Sequence, residues 1–298
     1  MYKMKQLHTV IIIILILLLV WSILYSIFRH FDHSENFDTI DQNKNNIICL
    51  ITRIPNETWC DLLNAFTKYK IYIIVDDNDF DLTEFENMYR HIKFIKVENE
   101  KCRTNGFIDM NHFIMNKSIT GWEKAVYYFS NENTNYDFIW FIEDDVFFYN
   151  EDTIVQIDKQ YLDDDLLSNA LENEYIDGNQ EYIESVLDEK LNRKQHPWHW
   201  DRINILIEPP YFSCMACAVR CTPNMMKCIN DYARKYKQLF FLEALFSTIA
   251  IRNNLKYSTP DEFTTIKYQA SYIKPHIDKV HLYHPVKHMI DHDEFREE

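Results

Sequence analysis

Glu143, Asp144 and Asp145 follow directly on residues 136–142 (YDFIWFI), the run that reads most continuously as a buried strand. Side chains alternate along an extended segment, so Glu143 and Asp145 point to the same side. Carboxylate oxygens are hard donors suited to Mg²⁺ or Mn²⁺, and a cation held by this pair can bridge to a diphosphate. A second acidic pair, Asp76 and Asp77, closes residues 71–75 (IYIIV). A solvated acidic turn is the competing reading of each pair.

Further groups suit the remaining roles of such a site. Residues 239–251 (LFFLEALFSTIAI) form an apolar helical pattern broken by one carboxylate, Glu243. Burial there raises its pKa and suits it to general-base work, with Asp261 and Glu262 as rivals and a structural carboxylate as the alternative. Trp198, His199 and Trp200 put aromatic faces beside ring nitrogens, a composition that stacks on a sugar and hydrogen-bonds its hydroxyls. Core packing explains tryptophan equally well.

The elements that must carry these groups alternate. Strand patterns at residues 47–52 (IICLIT), 71–75 and 91–97 (HIKFIKV) are separated by helical patterns after Pro55 and over residues 82–90. A helix over residues 121–129 (GWEKAVYYF) precedes the acidic strand. This order predicts an α/β fold with a mostly parallel central sheet, in which ligands sit beyond the carboxyl ends of the strands. Two of those ends are acidic. Residues 163–194 are rich in Asp and Glu at helical intervals and read as a solvated insertion, not as a metal site.

Composition removes other classes. The 298 residues contain three glycines, Gly106, Gly121 and Gly178, so no glycine-lined phosphate loop can be written. With 31 basic against 46 acidic residues, the chain lacks the positive surface that binds nucleic acid. An anionic substrate then needs a bridging cation.

Residues 10–28 (VIIIILILLLVWSILYSIF) are apolar without interruption and long enough to cross a hydrocarbon core of about 30 Å. Lys3 and Lys5 precede this run and Asp32, Glu35 and Asp38 follow it, which predicts a type II signal anchor. The expected organisation is a cytosolic tail (1–9), a transmembrane helix (10–28), a stem (29–46) and a luminal domain (47–298) with a nucleotide-binding half (47–150) and an acceptor half (151–298). Asn56 and Asn116 begin N-x-[ST] sequons. The seven cysteines read as buried thiols with at most one disulfide, because the cluster from Cys214 to Cys228 lies in an apolar run and lacks paired zinc knuckles.

The segment FIWFIEDDVFFYN resembles the D-x-D strand and loop of GT-A fold glycosyltransferases, here in a Glu-Asp-Asp form. With the ITR strand, the strand ending VDD, the GWEKAVYYF helix and the late HPVK stretch, roughly residues 47–290 are similar to GT-A-like proteins of algae, protists and large DNA viruses. The resemblance implies a nucleotide-sugar donor and a glycan, glycoprotein or glycolipid acceptor. Mn²⁺ or Mg²⁺ would be held by Asp145 with Glu143 assisting or binding the donor ribose, and Asp144 would lie on the donor side. Asp76 or Asp77 would contact the nucleoside, and His284 and Lys287 would reach the cation and the diphosphate. It also implies a Golgi-like or ER membrane. The departure is Glu143, where the family has Asp. A phosphatase using its first Asp as nucleophile is disfavoured by that same Glu. A glycosidase needs no such strand-end pair, and a non-catalytic carbohydrate-binding protein on the same scaffold stays open.

Overall fold

The structure, a computed structural model, describes residues 45–111, 118–176, 179–182, 200 and 203–297. These belong to one compact unit, Asn45–Glu298. The predicted anchor at 10–28, the sequon at Asn116 and the candidates Trp198 and His199 lie outside the described residues. Among the described residues no helix is long and apolar enough to cross a membrane.

The fold is mixed α/β. Strands β1 (Ile47–Thr52), β2 (Lys70–Val75), β3 (Ile92–Ile95) and β4 (Ile139–Glu143) are parallel, in the order β3-β2-β1-β4. Three further strands extend this sheet beyond β4. They are β9 (Ala218–Cys221), which runs antiparallel to β4, then β5 (Leu166–Leu167) and β10 (Tyr257–Ser258). A second sheet of β7 (Asn179–Tyr182), β6 (Leu171–Ile176) and β8 (Tyr211–Cys214) is antiparallel.

Burial on both faces explains why β1, β2 and β4 read as unbroken apolar runs, while the edge strand β3 alternates and leaves Lys93 exposed. Ile47, Cys49, Ile51, Ile139 and Phe141 point to one core, shared with α4 (Gly121–Asn131), α6 (Pro223–Tyr236) and α7 (Leu242–Arg252). Ile48, Leu50, Trp140 and Ile142 point to the other, shared with α1 (Glu57–Asn64) and α5 (Glu151–Gln160). Two short helices, α2 (Thr83–Met88) and α3 (Asn99–Asn105), flank β3, and α8 (Met289–Arg296) closes the chain.

The structure trims or replaces some predicted elements. The helix expected over residues 82–90 spans Thr83–Met88, and the strand expected over 91–97 spans Ile92–Ile95. The acidic stretch after residue 163, read as a solvated insertion with its charges at helical intervals, opens with strands β5, β6 and β7. Asp164 and Asp165 are structural there. The Asp164 carbonyl accepts from buried Arg220 at 3.0 Å, and Asp165 Oδ1 accepts from Thr222 Oγ1 at 2.8 Å.

Candidate functional site

Parallel strands on either side of β1 connect in opposite directions, so β1 and β4 flank the switch point of the sheet, where the carboxyl ends open a crevice. The acidic triplet sits at that point. Parity carries Glu143 to the α4 and α7 face, where Trp122 Nε1 donates to its Oε1 at 2.5 Å. Trp122 is wedged between Phe141 of β4 and Phe246 of α7. Its helix approaches β1 closely enough that a Cβ on Gly121 would meet Ile51 Cγ2 at 2.6 Å. The start of α4 is fixed by a capping box in which Thr120 donates to buried Glu123, whose other oxygen accepts from Met110 N at 2.8 Å.

Asp144 faces the opposite way. Its carboxylate accepts from Thr52 Oγ1 at the end of β1, and its carbonyl accepts from Trp59 Nε1 at 2.8 Å. Burial, partly offset by Thr52, raises its pKa. Asp145 is reached by the C-terminal segment. Phe147 and Tyr283 exchange backbone hydrogen bonds of 2.8 Å, and Val286 N donates to the Asp145 carbonyl at 2.7 Å. That docking brings His284 Nε2 to 3.4 Å from Asp145 Oδ1. The ring's Nδ1 lies 3.0 Å from the Lys267 carbonyl, which can only accept, so Nδ1 carries the proton and Nε2 faces the carboxylates. Burial works against a charged imidazole, but Asp145, the Lys267 carbonyl and Glu143 outweigh it and hold His284 above its ordinary value.

Beside these groups lies a cavity of about 320 Å³ lined by Glu143, Glu243, Cys217, Met215, Asn111, Phe241 and Leu242. Its wall is residues 215–217, the link by which the chain passes from β8 in the small sheet to β9 in the large one. Glu143 N donates to the Cys217 carbonyl at 2.9 Å, so these residues are cross-strand neighbours at the end of the β4–β9 ladder. Glu243 enters from the first turn of α7, which is held to β8 by Ser247 and Thr248 donating to the Phe212 carbonyl. Burial, then the negative charges of Glu172 and Glu143, push Glu243 up to about 8. Burial, opposed by the Trp122 hydrogen bond and reinforced by Asp145, pushes Glu143 up to about 7. Carboxyl groups so crowded are poised for a cation or a proton.

The remaining sequence candidates are placed as follows. Asp76 follows β2 and pairs at 2.9 Å with Lys124, whose side chain is 1% exposed, while Asp77 lies at the adjoining turn. Lys287 is exposed three residues beyond His284. Trp200 is buried against Tyr175 and Tyr211, with ring centroids 5.9 Å away in both cases. Asn56 caps α1 by accepting from Trp59 N at 3.0 Å. Glu262 accepts from Gln160 Nε2 at 3.0 Å and Asp261 begins a short 3₁₀ turn. All seven cysteines are free and six are buried.

The structure adds Cys217, Trp122 and Glu172 to the site. Cys217 had been visible as part of a cysteine cluster, but no spacing in the sequence connects it to Glu143. Trp122 was legible as a helical apolar residue, without any signal of its hydrogen bond.

No protein-family model matches the chain, and no curated protein matches it. Among solved structures it is similar to 4-diphosphocytidyl-2C-methyl-D-erythritol synthase from Anaerococcus prevotii, at 10% identity and a TM-score of 0.41, covering 73% of this chain and 86% of that one. Mouse xyloside xylosyltransferase 1 in its apo form is similar at 9% identity and a TM-score of 0.38, covering 81% of this chain and 97% of that one. Similarity at this level leaves the geometry of the site to carry the functional reading.

Proposed function

We propose that the chain is a divalent-cation-dependent glycosyltransferase that moves a sugar from a nucleotide-sugar donor to a hydroxyl of a glycan, glycoprotein or glycolipid. The observation that supports it most is the convergence of Glu143, Asp145 and His284 at the sheet's switch point, beside a cavity that holds a third carboxylate, Glu243. The donor set suits a divalent cation. Two carboxylates supply hard oxygens, and His284 offers a nitrogen whose ring is oriented by Lys267, which favours Mn²⁺ over Mg²⁺. When bound, such a cation neutralises diphosphate charge as a Lewis acid.

The chain's own residues do the rest. Trp122 orients Glu143 and leaves its second oxygen to the cation or the donor ribose. Asp76, Asp77 and Asp144 are assigned to the nucleoside of the donor, and Lys287, which is exposed, to its diphosphate oxygens. Glu243, pushed up to about 8 by burial, takes in its ionised form the proton from the acceptor hydroxyl as it attacks the anomeric carbon. Trp198 and His199 are assigned to the acceptor, and Trp200, buried against Tyr175 and Tyr211, to holding that segment on the core. The apolar run at 10–28, read as a signal anchor, would put this chemistry in the lumen of a Golgi-like or ER membrane.

Asp145→Ala tests the reading. Cation affinity is expected to fall by at least roughly 10–100-fold, the range for loss of a group that only orients a metal ligand, and donor turnover with Mn²⁺ to fall with it while the fold is retained. Undiminished turnover in the folded variant would remove Asp145 from the site. Sugar binding by the wild type with no turnover of any donor would support the non-catalytic carbohydrate-binding alternative.

A further inference from the structure

We propose that Cys217 is a thiolate ligand of the cation held by Glu143 and His284, so that the site takes a thiolate-accepting cation, Zn²⁺ or Co²⁺, in preference to Mg²⁺. The proposal deepens the cation site described above and rests on it. The Cys217 sulfur, a Glu143 carboxylate oxygen and a His284 ring nitrogen all lie within 4.8 Å of one another. Ligands around tetrahedral zinc, with bonds of about 2.0–2.3 Å, stand roughly 3.3–3.8 Å apart. Side-chain rotation of about an ångström therefore closes the three atoms on one ion; Asp145, already 3.4 Å from His284 Nε2, stands as a fourth, and expansion to five ligands leaves a position for a diphosphate oxygen.

Three separate parts of the chain deliver these atoms: the end of β4, the link between β8 and β9, and the docked C-terminal segment. The backbone hydrogen bond from Glu143 to Cys217 fixes the first two in register. Cys49, Cys60, Cys102, Cys214 and Cys221 are also buried, yet among the described residues the cysteine that lines the cavity is Cys217. The cavity gives an ion a way in. Coordination forms the sulfur–metal bond as the thiol proton leaves to solvent. Mg²⁺ demands near-octahedral oxygen ligation, which a thiolate and an imidazole do not provide.

Cobalt reads this out without any assay of turnover. Co²⁺ added to the purified full-length chain, with a reductant that contains no thiol, is expected to give visible d–d bands and a near-ultraviolet sulfur-to-cobalt charge-transfer band. Equimolar Zn²⁺ is expected to abolish both, and a large excess of Mg²⁺ to leave them in place. In Cys217→Ser and Cys217→Ala the charge-transfer band is lost while the d–d bands persist; Cys228→Ser changes neither. Visible bands without a charge-transfer band in the wild type, or a charge-transfer band that survives both Cys217 substitutions, would overturn the thiolate assignment and leave the cation site standing. A folded wild type that binds no cobalt at all would contradict the cation site itself.

Discussion

Glu243 shows how far a single residue's chemistry can be read from its setting. Its apolar helical surroundings predict a raised pKa, and burial beside Glu172 and Glu143 raises it to about 8 from an ordinary 4.5. Glu243→Gln is expected to leave donor affinity intact and to lower transfer by about 100-fold or more, within the range for loss of a general base. Steady-state kinetics with donor and acceptor varied separately check this; equal loss of donor binding would make Glu243 a donor-site or structural residue. The same group makes a stability prediction. An acid whose folded pKa is raised contributes stability that is fully present below about 4.5 and lost as pH rises through about 8. In EDTA, the thermal midpoint of the wild type relative to Glu243→Gln is therefore expected to fall from pH 5 to pH 8.5. A difference independent of pH would mean that Glu243 titrates normally. At this scale Glu143 and Asp145 were legible because an apolar strand runs straight into them. Cys217 was not, since its partnership with Glu143 is made by antiparallel pairing between β9 and β4 and leaves no trace in local spacing.

Among the elements, α4 does more than fill one face of the sheet. Its first turn is pressed against Ile51, which requires a residue without Cβ at Gly121, and the next residue, Trp122, holds Glu143. Gly121→Ala is expected to cost roughly 1–3 kcal/mol, the range for overpacking a dense core, and to weaken cation binding by moving the indole. Denaturant unfolding and cation titration of the same variant check the two effects; a variant as stable as the wild type would show that α4 yields without strain. Strands β1, β2 and β4 were legible as apolar runs because both of their faces are buried. The strands after residue 163 were not. β6 pairs with β8, which arrives some forty residues later in the chain, and β5 is sandwiched between β9 and β10. Pairing across such distances overrides the helical spacing of the acidic residues between them.

For the whole molecule, the arrangement of strands decides where chemistry can occur. The order β3-β2-β1-β4 puts the crevice at the ends of β1 and β4, and the return of the C-terminal segment along residues 145–147 supplies His284. The alternation of strands and helices foretold the first half of this arrangement. The second half depends on two long-range events, the crossing between sheets at residues 215–217 and the docking of residues 282–286, which local pattern does not encode. Thermal unfolding of the full-length chain with UDP, GDP, CMP and their sugars, each in Mn²⁺ or in EDTA, tests the central claim most directly, because a ligand that binds the native state raises its midpoint. One nucleotide family is expected to raise the midpoint in Mn²⁺, with the effect lost in EDTA and in His284→Ala. A folded chain that no nucleotide stabilises, or one stabilised equally in EDTA, would contradict a cation-dependent donor site at the end of β4.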